Sequence, residues 1–152
     1  MNAGVGMGLV LDEEGGRAFA ILGEGECLWL LKKAWFGRVG VSVEGLPAIF
    51  PVNYAMDGGA IYFLTSEGTK LRAALQGAPV AFEIDFADVR YHHGWSVLVI
   101  GEAHEVEEAA VKELLQRLPL EPWAPGRRDH LVRIRPDFVS GRRITSFYPA
   151  SD

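Results

Sequence analysis

Thr65, Ser66, Gly68, Thr69 and Lys70 stand together where an alternating apolar pattern gives way to a helical one. Hydroxyls, an unobstructed backbone and an ammonium group form a donor set suited to a phosphate. A helix start leaves amide N–H groups without partners, and their partial positive charge favours an anion. The same Thr and Ser also serve a plainer role, as an N-cap stabilising a helix by about 1 kcal/mol, with Lys70 on the solvated face. The spacing is not that of a G-x-x-x-x-G-K-[ST] phosphate loop. Just upstream, two alternating apolar segments flank Asp57-Gly58-Gly59, the composition of a tight hairpin turn. The pattern predicts a phosphorylated ligand held at the end of a β-hairpin.

Other reactive side chains narrow the chemistry by exclusion. The single cysteine, Cys27, rules out an intrachain disulfide and any Cys-rich metal site. It falls in an apolar helical pattern, as a small buried hydrophobe. His92 and His93 are adjacent, so on a strand they point to opposite faces. No third ligand is spaced beside them, although His104 and His130 can approach in the fold, and no metal is expected. A histidine in such a loop can also serve as acid or base near neutrality. Arg127, Arg128, Arg133, Arg135, Arg142 and Arg143 concentrate late in the chain, as a solvated face or as local anion recognition.

At 152 residues the chain suits one domain, and a globule of this size buries about 70% of its unfolded surface. Residues 1–20 are Gly-rich and weakly patterned, an N-terminal arm before a domain over 21–152. The net charge of −5 opposes a general nucleic-acid binder, so no nucleic-acid partner is expected. No stretch approaches the roughly 18 to 20 apolar residues of a membrane span, so no membrane partner is expected either. The N-terminal residues lack a basic start and a long apolar run. The expected location is the cytoplasm.

The elements that position these groups follow from periodicity. A short helix is predicted over Gly25–Ala34, then strands over Phe36–Val43, Ile49–Ala55 and Ala60–Leu64, with Leu46-Pro47 as the break between the first two. A helix over Glu67–Gln76 stops at Gly77. Strands follow over Val80–Phe86 and Trp95–Val106, separated by a polar and aromatic loop over Ala87–Gly94. A helix over Glu107–Leu118 leads through a proline-rich connection to final strands over His130–Ile134 and Arg142–Tyr148. Inserted rather than alternating helices indicate an α+β, mainly β domain centred on a barrel with a few flanking helices.

In order, the segments GRVGV, PVNY, IYFLTSEGTKL, VAFEID, GWSVLVIGEAHEV and VRIRPDFVSGRRI run from about Cys27 to Ile144. Together they resemble the pyridoxamine 5′-phosphate oxidase-like, FMN-binding split-barrel family, its short bacterial members in particular. The resemblance implies a six-stranded split β-barrel and a homodimer with FMN at the interface. It places Pro51, Val52, Asn53 and Tyr54 beside the flavin ring. Thr65, Ser66, Gly68, Thr69 and Lys70 fall where the family grips the phosphate. Trp95 and Ser96 begin the strand that brings a Gln to the flavin in the oxidase. Tyr54, His93 and Arg142 fall on the substrate side, and no residue is assigned a catalytic role.

The departures bear on the substrate. The oxidase carries an Arg on the strand reading PVNY here, another where Thr69 stands, and a Trp where Val139 stands. Losing these basic groups weakens recognition of a phosphorylated substrate. The resemblance therefore implies an FMN-dependent oxidoreductase acting on some other small molecule. Two alternatives remain on the same fold: a reductase using the deazaflavin F420, with late arginines for its acidic tail, and a flavin-binding protein without turnover.

Overall fold

Residues 9–11, 17–66, 71, 75, 77–121 and 129–146 are described by a computed structural model. Alternating apolar and polar residues give each strand one face for a core, and the strands satisfy that demand by closing on themselves. In chain order the elements are β1 (Leu9–Leu11), β2 (Arg17–Leu22), α1 (Glu24–Lys33), β3 (Phe36–Val43), β4 (Leu46–Asp57), β5 (Ala60–Ser66), β6 (Pro79–Asp88), β7 (His93–Glu105), α2 (Glu108–Arg117) and β8 (Asp129–Ser146). The sheet runs β1-β2-β8-β5-β4-β3-β6-β7, and β7 returns to pair with β8. The six strands β3 to β8 therefore form a closed antiparallel ring, the six-stranded split barrel expected from the sequence. The hairpin of β1 and β2 extends one edge of β8, pairing Arg17–Leu22 with Ser146–Gly141. Residues 17–20, read as part of an N-terminal arm, thus belong to the sheet.

The first hairpin turns earlier than its prolines indicated. Glu44 and Gly45 both have positive φ (51° and 80°), the geometry of a two-residue turn that matches strand twist, and it closes on Val43 opposite Leu46. Pro47 and Pro51 then lie inside β4. They share the parity of Asp57, which faces Ala60 of β5, so the side lacking an N–H points away from β3. Over Leu46–Asn53 that edge has no paired strand among the described residues, so no ladder hydrogen bond is lost.

The two strands predicted at the end are one. β8 continues through Pro136, which stands opposite Gly101 beside a register shift that leaves Asp137 of β8 as the extra residue. A bulge tolerates a residue without an N–H, so proline bends the strand without ending it. The loop after β6 shrinks to the turn Val89–His92, with His92 at φ 48°. Most of the helix expected over Glu67–Gln76 lies outside the described residues, although Leu71 and Leu75 are buried in the main core.

Inside the barrel Val39, Ile61, Phe63, Phe82, Val97, Val99 and Ile134 are fully buried, each worth roughly 1.5 to 3 kcal/mol. α1 closes one side with Cys27, Leu30 and Leu31. A second cluster lies on the outer face of β4, β5 and β8, where Ala55, Tyr62 and Leu131 meet Val111, Leu114 and Leu115 of α2. Arg117 ties α2 to the hairpin turn through Asp57 at 3.0 Å. No helix among the described residues is long and apolar enough to cross a membrane.

Gly141 lets α1 approach β8: a Cβ there would stand 2.5 Å from the Cys27 sulfur and 3.1 Å from Leu22. Gly141→Ala is expected to destabilise the fold by about 1 to 3 kcal/mol through overpacking. Adding Cys27→Ala should recover part of that loss, read by denaturant unfolding of both single variants and the double. Strict additivity would contradict the contact.

Candidate functional site

The barrel splits where β4 and β5 part. Their pairing runs from Asp57–Ala60 to Tyr54–Phe63 and stops. Beyond it, Leu64, Thr65 and Ser66 pair only with β8, opposite Leu131, His130 and Asp129. On the other side of the gap, Pro51 and Asn53 belong to the open edge of β4. Tyr54 donates its N–H to the Trp35 carbonyl at 2.9 Å, which fixes even-numbered positions toward β3 and odd ones toward the gap. The Pro51 carbonyl and the Asn53 N–H are therefore neighbouring acceptor and donor on an unpaired edge.

Side chains of the PVNY segment divide between the two faces. Val52 and Tyr54 are buried in the barrel. The Tyr54 hydroxyl donates to the Leu31 carbonyl at 2.6 Å, and its ring meets Phe82 edge to face at 4.8 Å. Burial pushes the Tyr54 phenol well above its ordinary pKa. Neither side chain reaches a ligand in the gap, and the Tyr54 N–H is already taken on the β3 side. Pro51 is exposed and Asn53 half-buried on the outer face.

Across the gap Thr65 is buried with a hydroxyl that has no hydrogen-bond partner. The Ser66 hydroxyl donates to Asp129 Oδ1 at 3.4 Å, while Asp129 Oδ2 and His130 Nε2 are also buried without partners. His130 Nδ1 meets Glu105 at 2.5 Å. Each unsatisfied buried group costs about 1 to 3 kcal/mol, and folds retain such groups where a ligand, ion or water completes them. Gly68, Thr69 and Lys70 lie outside the described residues.

Two cavities flank the exposed Trp35. One, of about 470 Å³, places Asn53 against Leu115, Leu118, Pro119 and Leu120. The other, of about 550 Å³, is lined by Lys32, Lys33, Met56 and the turn at Gly58 and Gly59. The sequence reading missed Trp35 and the α2 leucines. An exposed tryptophan directly before a strand was the available signal.

The remaining expected residues gather elsewhere on the ring. Ser96 of β7 stands opposite Arg142 of β8 on the outer face, whereas Trp95 faces inward. His93, Trp95, Ser96 and Arg142 share a cavity of about 410 Å³ with Phe86 and Ile144. β3 and β6 separate this group from Pro51 and Asn53, and none of the three cavities holds members of both.

A closed six-stranded ring with a gap between its second and third strands defines the split-barrel class of proteins. Within it, the chain belongs to the pyridoxamine 5′-phosphate oxidase family, whose pattern it matches over residues 23–143. The structure of the FAD binding protein from Mycobacterium smegmatis shares 39% identity, covering 84% of this chain and 99% of that one, with a TM-score of 0.74. A conserved protein of unknown function from Corynebacterium diphtheriae shares 31% identity over 86% of this chain and 98% of its own, with a TM-score of 0.70. An uncharacterized Mycobacterium tuberculosis protein is 37% identical over 126 residues, 80% of this chain and 82% of that protein.

Tyr54→Phe should destabilise the fold by about 1 to 3 kcal/mol by leaving the Leu31 carbonyl unpaired. Because the folded phenol is raised, its contribution is complete below the unfolded value of about 10 and fades as pH rises above it. The stability gap between the two proteins at neutral pH should close at strongly alkaline pH, read from unfolding curves at both. A constant gap would contradict this role.

Proposed function

We propose that the chain binds a flavin nucleotide, FMN in the first place, and works as an oxidoreductase on a small molecule. The observation that carries this reading is the parting of β4 and β5. The Pro51 carbonyl and the Asn53 N–H complement the imide edge of a planar ring. Across the gap, the unpartnered Thr65 hydroxyl stands at the head of the Ser66–Lys70 donor run, suited to a phosphate. The 39% identity to a protein described as FAD binding supports a flavin.

When bound, a flavin supplies the hydride and electron transfer. The chain's share is to orient and shield it. The backbone of Pro51 and Asn53 holds the ring edge, Thr65, Ser66, Gly68, Thr69 and Lys70 hold the phosphate, and Trp35 and Leu118 exclude water from one side. Arg142 draws an anionic group, and His93 stands on the same substrate side.

The outer sheet face supports a homodimer that completes the site. Ile49, Gly40, Ala81, Ile100 and Phe138 form one continuous cross-strand row over β4, β3, β6, β7 and β8. Small residues at its centre flatten it, and the ends are apolar and exposed, Ile49 at 71% and Phe138 at 55%. On the same face Asn53 lies toward the β4 end, Ser96 and Arg142 toward the β8 end. A two-fold axis through the middle exchanges those ends, so one copy's Ser96 and Arg142 meet the other's Pro51 and Asn53.

Titration of the protein with FMN, riboflavin, FAD and F420 tests this reading. Lys70→Ala is expected to weaken FMN by about 1.5 to 3 kcal/mol, roughly 10- to 150-fold, and to leave riboflavin unchanged. Equal losses for FMN and riboflavin would remove Lys70 from the phosphate site. Tight binding of F420 alone would replace the flavin with a deazaflavin, and binding of none would overturn the assignment.

A further inference from the structure

Away from the Thr65 gap, the barrel interior ends in a row that is only half covered. Phe86, Trp95 and Arg143 stand directly across from one another on β6, β7 and β8. Two residues further in on the same face, Ile84, Val97 and Gly141 form a row in which Ile84 is 1% and Val97 0% exposed. Phe86, by contrast, is 51% exposed. The outer row opens into a cavity of about 280 Å³ that Phe86, His93, Gly94, Trp95, Arg143 and Ile144 line. That volume is just under the lower end of small-molecule sites and suits one or two fused rings.

A carboxylate already sits at the rim. Glu26 of α1 accepts a hydrogen bond from the Arg143 guanidinium at 2.7 Å, with the two side chains 39% and 44% exposed. A pair so open to water contributes little, so a better-placed anion displaces it. The other nearby carboxylates are committed elsewhere. Asp85 pairs with Arg38 at 3.3 Å, and Asp88 accepts the backbone N–H groups of Arg90 and Tyr91 at 2.9 and 3.3 Å.

We propose that this mouth is a binding site for a planar aromatic anion, a one- or two-ring carboxylate. The ring lies against Phe86 and Trp95, and the carboxylate takes the place of Glu26 on Arg143, where the planar fork favours a bidentate contact. His93 and Ile144 close the sides. The mouth shares Trp95 and His93 with the residues expected near the flavin, but the anion contact rests on Arg143 and Glu26, which the cofactor assignment does not use.

Isothermal titration of the full chain with 2-naphthoate and its neutral amide, 2-naphthamide, tests it. Saturable binding of the carboxylate is expected, with the amide at least roughly tenfold weaker. Arg143→Gln should remove that preference. Glu26→Gln should tighten 2-naphthoate severalfold by removing the internal competitor, a gain that damage to the fold would not produce. Equal binding of acid and amide, an unchanged preference in Arg143→Gln, weaker binding in Glu26→Gln, or no saturation at millimolar ligand would each overturn the site. The flavin assignment would be untouched by any of these results.

Discussion

Closure of the ring through β8 is the constraint on which the rest of the structure depends. This one strand of 18 residues pairs with β7 along one edge and with β5 and then β2 along the other. To reach β8, β5 leaves β4 after Phe63. An antiparallel ring removes exposed edges, but this one closes only by opening a gap between two of its own strands. The unpaired backbone of Pro51 and Asn53 and the buried hydroxyl of Thr65 both follow from that geometry.

The interior pattern reinforces the same arrangement. Rows of fully buried side chains fill the barrel, and Gly141 lets α1 come close, beneath Cys27. Among the described residues, polar groups inside are few. The Tyr54 hydroxyl is satisfied by the Leu31 carbonyl and anchors α1 over the core. Thr65 and His130 retain unsatisfied atoms at the end of β5. Among the described residues, the buried side-chain atoms without partners are those of Thr65, Asp129 and His130, gathered where β5 and β8 pair.

Much of this was legible in the sequence. Alternation over VAFEID and the turn at Asp57-Gly58-Gly59 located strands, and the joint order of weak motifs led to the family and the six-stranded barrel. What escaped has physical reasons. Proline is read locally as a stop, yet Pro47 and Pro51 face an unpaired edge and Pro136 sits at a bulge, so tertiary context overrides the local rule. Glu44-Gly45 is a less familiar turn pair than Asn-Gly, and it shifted the start of β4 by three residues. For the site, residue identity located PVNY but not which face each side chain takes. Val52 and Tyr54 turn their side chains inward and their backbone toward β3, and the backbone of Pro51 and Asn53 is what remains at the gap. Trp35 and the α2 leucines lie far apart in sequence and meet through the fold.

The account stands or falls on what the purified protein carries. A visible absorption spectrum, followed by chromatography of the heat-released cofactor, is the most direct test. A flavin spectrum and released FMN are the predicted result. A colourless protein that takes up no flavin or deazaflavin when these are added would contradict the account, leaving the gap between β4 and β5 without its proposed occupant.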